Sequence, residues 1–423
     1  MRRSMRRSLR LLTLVIVLAV AGVPVGAQQA ANGQELEQAR ALANRPETLA
    51  AFAYIDRTRE EMLREWRALA EINAPSGQEK ARAVYIERLL RRAGLQDVHY
   101  DSIGNLVATR KGTGKGPRVV FDAHMDTVFQ PGLKITTTIR DGRIFAPGIG
   151  DDTRNIEALL ASIRALNAAR IKTSGDLVFV FTVQEETCLC GAERYVAENR
   201  GKFDYYVALD GGYEGFTYGA IGINWYRHHF IGPGGHTRSQ NPPYSATLPL
   251  ARAISRIYEL KIPEEPSSNL NIGMLGGSEV VNAKAADAWF TLDLRSMSNE
   301  VMADLEQKIA AILKEEAERA GMSVRTEVIS ASTAALNPEH RTSRLVRIAE
   351  AVHLTMGFEA PPITTAGSNN SGAALRAGLA AISTGAAPCS NSHSLAESCE
   401  IEPFYKGTKK VILLALALAQ MEK

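Results

Sequence analysis

The chain has 423 residues, with 49 lysines and arginines against 46 aspartates and glutamates. Five of those arginines fall in the first ten residues, and without them the balance is 44 basic to 46 acidic. Nothing in that balance argues for nucleic acid as a partner, and the length suffices for two domains with cores of their own. Arg2, Arg3, Arg6, Arg7 and Arg10 precede an apolar run from Leu11 to Val23, and Val25-Gly26-Ala27 follows with small residues. A basic start, a short apolar stretch and a small-residue end predict a secretory signal over 1–27. The run is too short to span a bilayer, and no cysteine stands near the cleavage point for a lipid. The product is therefore expected to be exported, periplasmic or secreted, and free of the membrane.

Residues 28–73 read as helical, with apolar positions at helical spacing from Phe52 to Leu69, until Ala74-Pro75 breaks the run. Ser76-Gly-Gln-Glu79 has the form of a capping box opening the next helix, which Gly94 ends. Two short strands are expected at 98–100 and 105–109. The glycine-rich loop 111–116 lacks a following Lys-Ser/Thr helix start, so it is not a phosphate loop. Next comes Val119-Val120-Phe121, a buried strand that stops on Asp122, His124, Asp126 and Thr127. His124 could meet a metal while Asp126, two residues on, holds the other ring nitrogen. Alone, such a pair is more often solvated.

A strand pair is expected over 135–144, turning at Asp141-Gly142. Pro147 to Arg154, PGIGDDTR, leads into a helix over 156–169. Leu177 to Glu186, LVFVFTVQEE, reads as one strand ending in paired carboxylates, with a helix over 191–199 behind it. On an extended segment Glu185 and Glu186 would face opposite sides, one toward a metal and one toward a water. Tyr205 to Gly212 is a strand ending at Asp210. Strands that alternate with helices predict an α/β fold, a mixed and largely parallel sheet covered on both faces. Ligands bind such sheets beyond the carboxyl ends of the strands, where all these polar residues collect.

Beyond residue 217 the order becomes strand (221–231), helix (248–260), strand (269–275), strand (288–294), helix (300–320) and strand (323–329). This β-α-β-β-α-β order predicts an inserted α+β ferredoxin-like domain. Helices at 342–356, 372–377 and 406–421 and a strand at 380–383 then resume the first pattern. The division is thus 28–217 with 335–423 for one domain and 218–334 for the insertion. His393 would rejoin the site from beyond it. His228 and His229 lie on a strand without neighbouring ligands and are read as structural.

The whole set resembles the M20 metallopeptidases, which include carboxypeptidases, tri- and dipeptidases and N-acyl amino acid deacylases. The matching motifs are H-M-D at His124–Asp126, P-G-I-G-D-D-T-R, Q-E-E ending at Glu186, L-D-G-G around Asp210, G-P-G-G-H ending at His236, G-G-S-x-x-x-N ending at Asn282, D-L-R ending at Arg295, and H-S-x-x-E from His393 to Glu397. The resemblance implies that Asp151 bridges two divalent ions, with His124 and Asp210 completing one site and Glu186 and His393 the other. Glu185 would be general base and acid, Asp126 would orient His124, and the Asp151-Asp152 peptide would be cis. Ligands without thiolate suit zinc, with cobalt or manganese possible. His236, Asn282 and Arg295 would contact substrate, the histidine often from the partner of a homodimer formed through 218–334. For Arg295 a surface salt bridge is as good a reading as a carboxylate clamp.

Two segments depart from the resemblance. Thr153-Arg154 stands where many members have Lys-Gly, and Gly367-Ser-Asn-Asn370 where many have a Ser/Thr-Asp pair. Both put substrate preference in doubt. Four cysteines, Cys188, Cys190, Cys389 and Cys399, allow three full pairings. Cys188 and Cys389 each lie near a would-be ligand, so one of Cys188 or Cys190 is expected to pair with Cys389. Aspartate rather than glutamate at position 210 favours a small-peptide exopeptidase, aminopeptidase-like. An N-acyl amino acid amidohydrolase or a carboxypeptidase is the alternative, and a non-catalytic metal- or peptide-binding protein a remote one.

Overall fold

The computed structural model describes residues 25–278 and 280–422. The expected signal lies, for residues 1–24, outside the described residues. Among the described residues no helix is long and apolar enough to cross a membrane. The expected helical run over 28–73 is three helices, Val25–Ala43, Pro46–Arg57 and Arg59–Glu71. Pro46 opens the second, where its missing N–H removes no helical bond. The capping box at Ser76–Glu79 does not form, which corrects the sequence reading. The helix starts at Lys80, and both side chains are used by distant segments. Ser76 donates to Asp126 at 2.5 Å, and Glu79 accepts from the backbone N–H groups of Gly77 and Gln184.

An eight-stranded sheet forms the centre. Its order is Asp97–Tyr100, Leu106–Arg110, Leu177–Thr182, Val119–His124, Tyr205–Ala208, Ala380–Ser383, Phe216–Thr217, Ile363–Thr364. The four middle strands, 177–182, 119–124, 205–208 and 380–383, run parallel. Their alternation divides two cores. Val119, Phe121, Phe179 and Phe181 pack with the helices Arg154–Ala168 and Ile401–Leu418. Val120, Val178, Val180 and Tyr206 pack with Cys190–Asn199 and Ser371–Arg376 on the other side. A sheet covered on both faces needs nearly continuous apolar strands, which LVFVFT supplies.

The strand into Glu185 is shorter than expected. It ends at Thr182; Gln184 takes a left-handed φ of 55°, and Glu185–Cys188 is a single helical turn. The expectation of two glutamates on an extended segment is therefore wrong. Asp126 causes this, because its carboxylate accepts from both Glu185 N and Glu186 N and gathers them into a turn.

In the insertion, an antiparallel sheet has the order Ser268–Gly277, Asp287–Ser296, Gly222–Ile231, Ser323–Ser332. Helices Thr247–Tyr258 and Asn299–Ala320 pack on one face through Leu250, Ile257, Leu305 and Ile309 against Phe230, Phe290 and Leu292. The strand order is that of a ferredoxin-like unit.

The cysteine pairing is also corrected: Cys188 pairs with Cys190, and Cys389 with Cys399. Both bonds follow local geometry. A tight turn through left-handed Leu189 brings Cys188 and Cys190 to 5.0 Å between Cα atoms. Cys389 and Cys399 face each other in a two-strand ladder, 4.0 Å apart.

One buried histidine sets an acid limit on stability. His353 donates Nδ1–H to Ala349 O at 2.7 Å, with Phe216 and Phe358 beside the ring. Burial, then the nearby Lys410, pushes its pKa down to about 3. The folded state keeps the ring neutral while the unfolded chain protonates near pH 6.5, so stability falls as pH drops from that value toward 3. Between pH 7 and 5 this group alone should remove about 2 kcal/mol. Urea unfolding at the two pH values should show that loss, and His353→Phe should flatten it by a similar amount.

Candidate active site

The site lies beyond the carboxyl ends of the parallel strands, where three loops and one helical turn converge. Its centre is Asp151, in the turn Ile149–Thr153 that precedes the helix Arg154–Ala168. The Asp151-Asp152 peptide is cis. One oxygen of Asp151 lies 2.9 Å from His124 Nε2, and the other 3.1 Å from His393 Nε2. His393 Nε2 also lies 3.0 Å from Glu186 Oε2. Ligand atoms of His124, Asp151 and Glu186, and those of Asp151, Asp152 and Asp210, fall within 4.8 Å of one another. The five residues read as ligands thus meet around one carboxylate, though His124 and Glu186 fall in the same group here.

Residues of distant segments hold each member. His124 ends its strand, and its Nδ1 approaches both the backbone oxygen of Asp126 at 3.2 Å and the carboxylate at 3.4 Å. The buried Asp126 carboxylate also accepts from Glu185 N at 2.9 Å and Glu186 N at 3.1 Å. It therefore places the imidazole and both glutamates together. Asp152 is structural, with its oxygens taken by His124 N and by Asn155. Glu397, fully buried, accepts from the N–H groups of Gly148, Gly150 and Asp151 at 2.7–2.8 Å. Gly150 leaves room for this, since a Cβ there would stand 2.8 Å from Glu397 and 2.9 Å from Cys389. Behind Asp210, whose N–H bonds Thr384 O, buried Lys410 donates to Tyr213 O, Thr384 Oγ1 and Gly385 O.

Lys410 carries no local signal in the sequence, Ser76 and Glu79 carry only the misleading form of a capping box, and Glu397 only the spacing H-S-x-x-E.

The electrostatics are those of acids crowded around two imidazoles. Burial, with the charge of Asp151 adding, pushes Asp210 up to about 6. Burial also raises Glu186 to about 7, and lifts Glu185 well above the usual range with help from Asp210 and Glu186. His393 rises to about 9 through its bond to Asp151, and His124, despite burial, is raised by Asp152, Asp126 and Asp151. Burial opposes ionisation of Asp151, yet its bonds from His124 and His393 hold it well below its ordinary value. Glu186 Oε1 is buried without a partner. Imidazoles and carboxylates with an orphaned oxygen, and four cysteines all engaged in disulfides, make a donor set that fits a divalent ion of the zinc type.

Two cavities flank the cluster. One of about 610 Å³ runs from Asp151 and Asp210 past Arg154 to Ser392. The other, about 320 Å³, is lined by Glu185, Glu186 and His393 together with Trp225 and Arg295 of the insertion. Arg295 donates three hydrogen bonds of 2.9–3.1 Å to Asp293 on its own strand. His236 and Asn282 lie elsewhere, exposed on a short ribbon of Gly235–His236 and Ala283–Lys284, and line neither cavity. His229 pairs with Asp287 and His228 with Thr326, far from the cluster in the strand order.

Comparison with known proteins points to one family. The pattern of "Peptidase family M20/M25/M40" matches residues 120–417. Protein YqjE of Bacillus subtilis is 26% identical over 280 residues, 63% of this chain and 74% of that protein. A tripeptidase from Staphylococcus aureus superposes with a TM-score of 0.76 at 23% identity, covering 86% of this chain and 99% of the other. Aminopeptidase PepT from Bacillus cereus gives 0.73 at 22% identity, over 86% and 99%. At those identities the two structures speak for the fold. The match over residues 120–417 places the chain in peptidase family M20/M25/M40, as a hydrolase of peptide or amide bonds.

Proposed function

We propose that the protein is a di-metal exopeptidase of short peptides, aminopeptidase-like, working with two zinc ions. The observation that carries this is the gathering of His124, His393, Glu186 and Asp210 around Asp151, with the two histidines on its two oxygens and Glu185 on the adjoining turn. In this reading His124, Asp151 and Asp210 would hold one ion, and Asp151, Glu186 and His393 the other. Bound divalent ions would polarise the scissile carbonyl and acidify water. Glu185 accepts the proton of the attacking water and returns it to the departing amine, a role its place on the turn beside Glu186 suits. Asp126 keeps the His124 ring oriented and fixes the turn that aims Glu185. The flanking cavities leave room for a few residues on either side. Aspartate at position 210 and two same-fold neighbours named as a tripeptidase and an aminopeptidase support the exopeptidase over the deacylase.

We extend the proposal to the setting of the enzyme. The basic, apolar and small-residue start supports export, as do two disulfides, which persist in oxidising compartments. Exposed Met274, Leu275, Val328 and Ile329 on the edge strands of the insertion support a homodimer through 218–334, with His236 and Asn282 serving a partner's site. The test is product release from a mixture of free-amine tripeptides, dipeptides and N-acyl amino acids, with zinc and after chelation. Chelator-sensitive loss of the N-terminal residue is the expected result. Cleavage confined to the acylated amino acids would replace the exopeptidase with the deacylase.

A further inference from the structure

Arg154 is a charged residue beside Asp151 for which the proposed reaction has no use. It stands three residues after Asp151, at the start of a helix, and is 6% exposed. Nη2 donates to Gly211 O at 2.7 Å, and the buried Nε has no partner. The nearby acids do not pair with it. Asp151 is engaged by the two histidines, and Asp152 by His124 N and Asn155. Gly385 packs against the guanidinium, where a Cβ would stand 2.8 Å from Nη2. The side chain forms part of the wall of the 610 Å³ cavity that begins at Asp151 and Asp210.

A guanidinium carries five N–H donors and cannot shed its charge. Burying one on a single carbonyl is costly unless an anion completes it, and a carboxylate is the planar acceptor that fits its fork. The arginine on the opposite side of the cluster, Arg295, already holds such a partner in Asp293. We infer that Arg154 is a specificity-determining residue, binding a carboxylate of the substrate in the cavity beside Asp210. This rests on the reading of the cluster as a hydrolase site. The carboxylate is either an acidic side chain or the C-terminus of a short peptide.

Matched peptides decide it: each sequence carries Glu or Gln, and each is made as free acid and as C-terminal amide. Zinc-loaded wild type, Arg154→Lys and Arg154→Gln are compared, with zinc content and melting temperature measured for each. Wild type should favour one carboxylate over its carboxamide by about 10-fold or more in kcat/KM. That ratio should fall to near one in Arg154→Gln and to an intermediate value in Arg154→Lys. Whether it moves for the Glu/Gln pair or for the acid/amide pair names the source of the carboxylate. If Arg154 merely offsets the charge of Asp151 and Asp210, the substitution changes both members alike and the ratio stays, which overturns the inference. Absence of any preference in wild type overturns it too. Should Arg154→Gln not fold, the weakening in Arg154→Lys decides. If no peptide is cut, the exopeptidase reading fails, and calorimetric binding of the same pairs still tests Arg154. Carboxylate-selective binding that Arg154→Gln loses supports it, and unselective binding or none contradicts it.

Discussion

Glu185→Gln should lower kcat by about 10²–10⁴-fold, the usual worth of a positioned general base, while zinc content and melting temperature stay near wild type. The substitution keeps the size of the side chain and removes its capacity to take a proton. The turn should survive because the backbone N–H of Glu185, not its carboxylate, is what Asp126 holds. KM should move little, since the group acts on water and the leaving amine. Steady-state kinetics on a cleaved peptide, with metal analysis of the same sample, checks this. A loss below tenfold with full metal content would remove Glu185 from the chemistry.

Asp151→Asn should be more damaging and should act through the metal. Its two oxygens are the one point that both His124 and His393 touch. An amide offers one weaker acceptor, so the variant should retain about one ion per chain or fewer. It should lose activity by roughly 10³-fold or more, several kcal/mol at 1.36 kcal/mol per tenfold. Asp126→Asn gives the contrast. It leaves every proposed ligand in place and weakens only their support, for which about 10–100-fold in metal affinity or activity is the expectation. Elemental analysis after dialysis separates the two. Equal metal content in Asp151→Asn and wild type would contradict a bridging role.

What the sequence could and could not show divides by range. The strands announce themselves, because a sheet buried on both faces requires runs such as LVFVFT, and the polar residues that end them stand out against the apolar background. The β-α-β-β-α-β order of the insertion is legible for the same reason, each element having its own period. The turn at Glu185 was not legible. Nothing in VQEE declares that an aspartate 59 residues earlier will bind its N–H groups. Ser76 and Glu79 mimic a capping box closely, yet Asp126 and Gln184 compete for the same side chains. The disulfides went astray because nearness to a ligand in sequence says little about which sulfurs meet, whereas ladder register does. Arg154 was visible as a departure from the family resemblance. That it lacks an ionic partner required the packing around Gly211 and Gly385.

Titration of zinc into metal-free protein, followed by the rate of release of the N-terminal residue from a free-amine tripeptide, tests the central claim most directly. No release is expected at zero zinc, and the rate should climb until about two equivalents per chain are bound. Full release by chelated protein, or a rate complete at one equivalent, would contradict it.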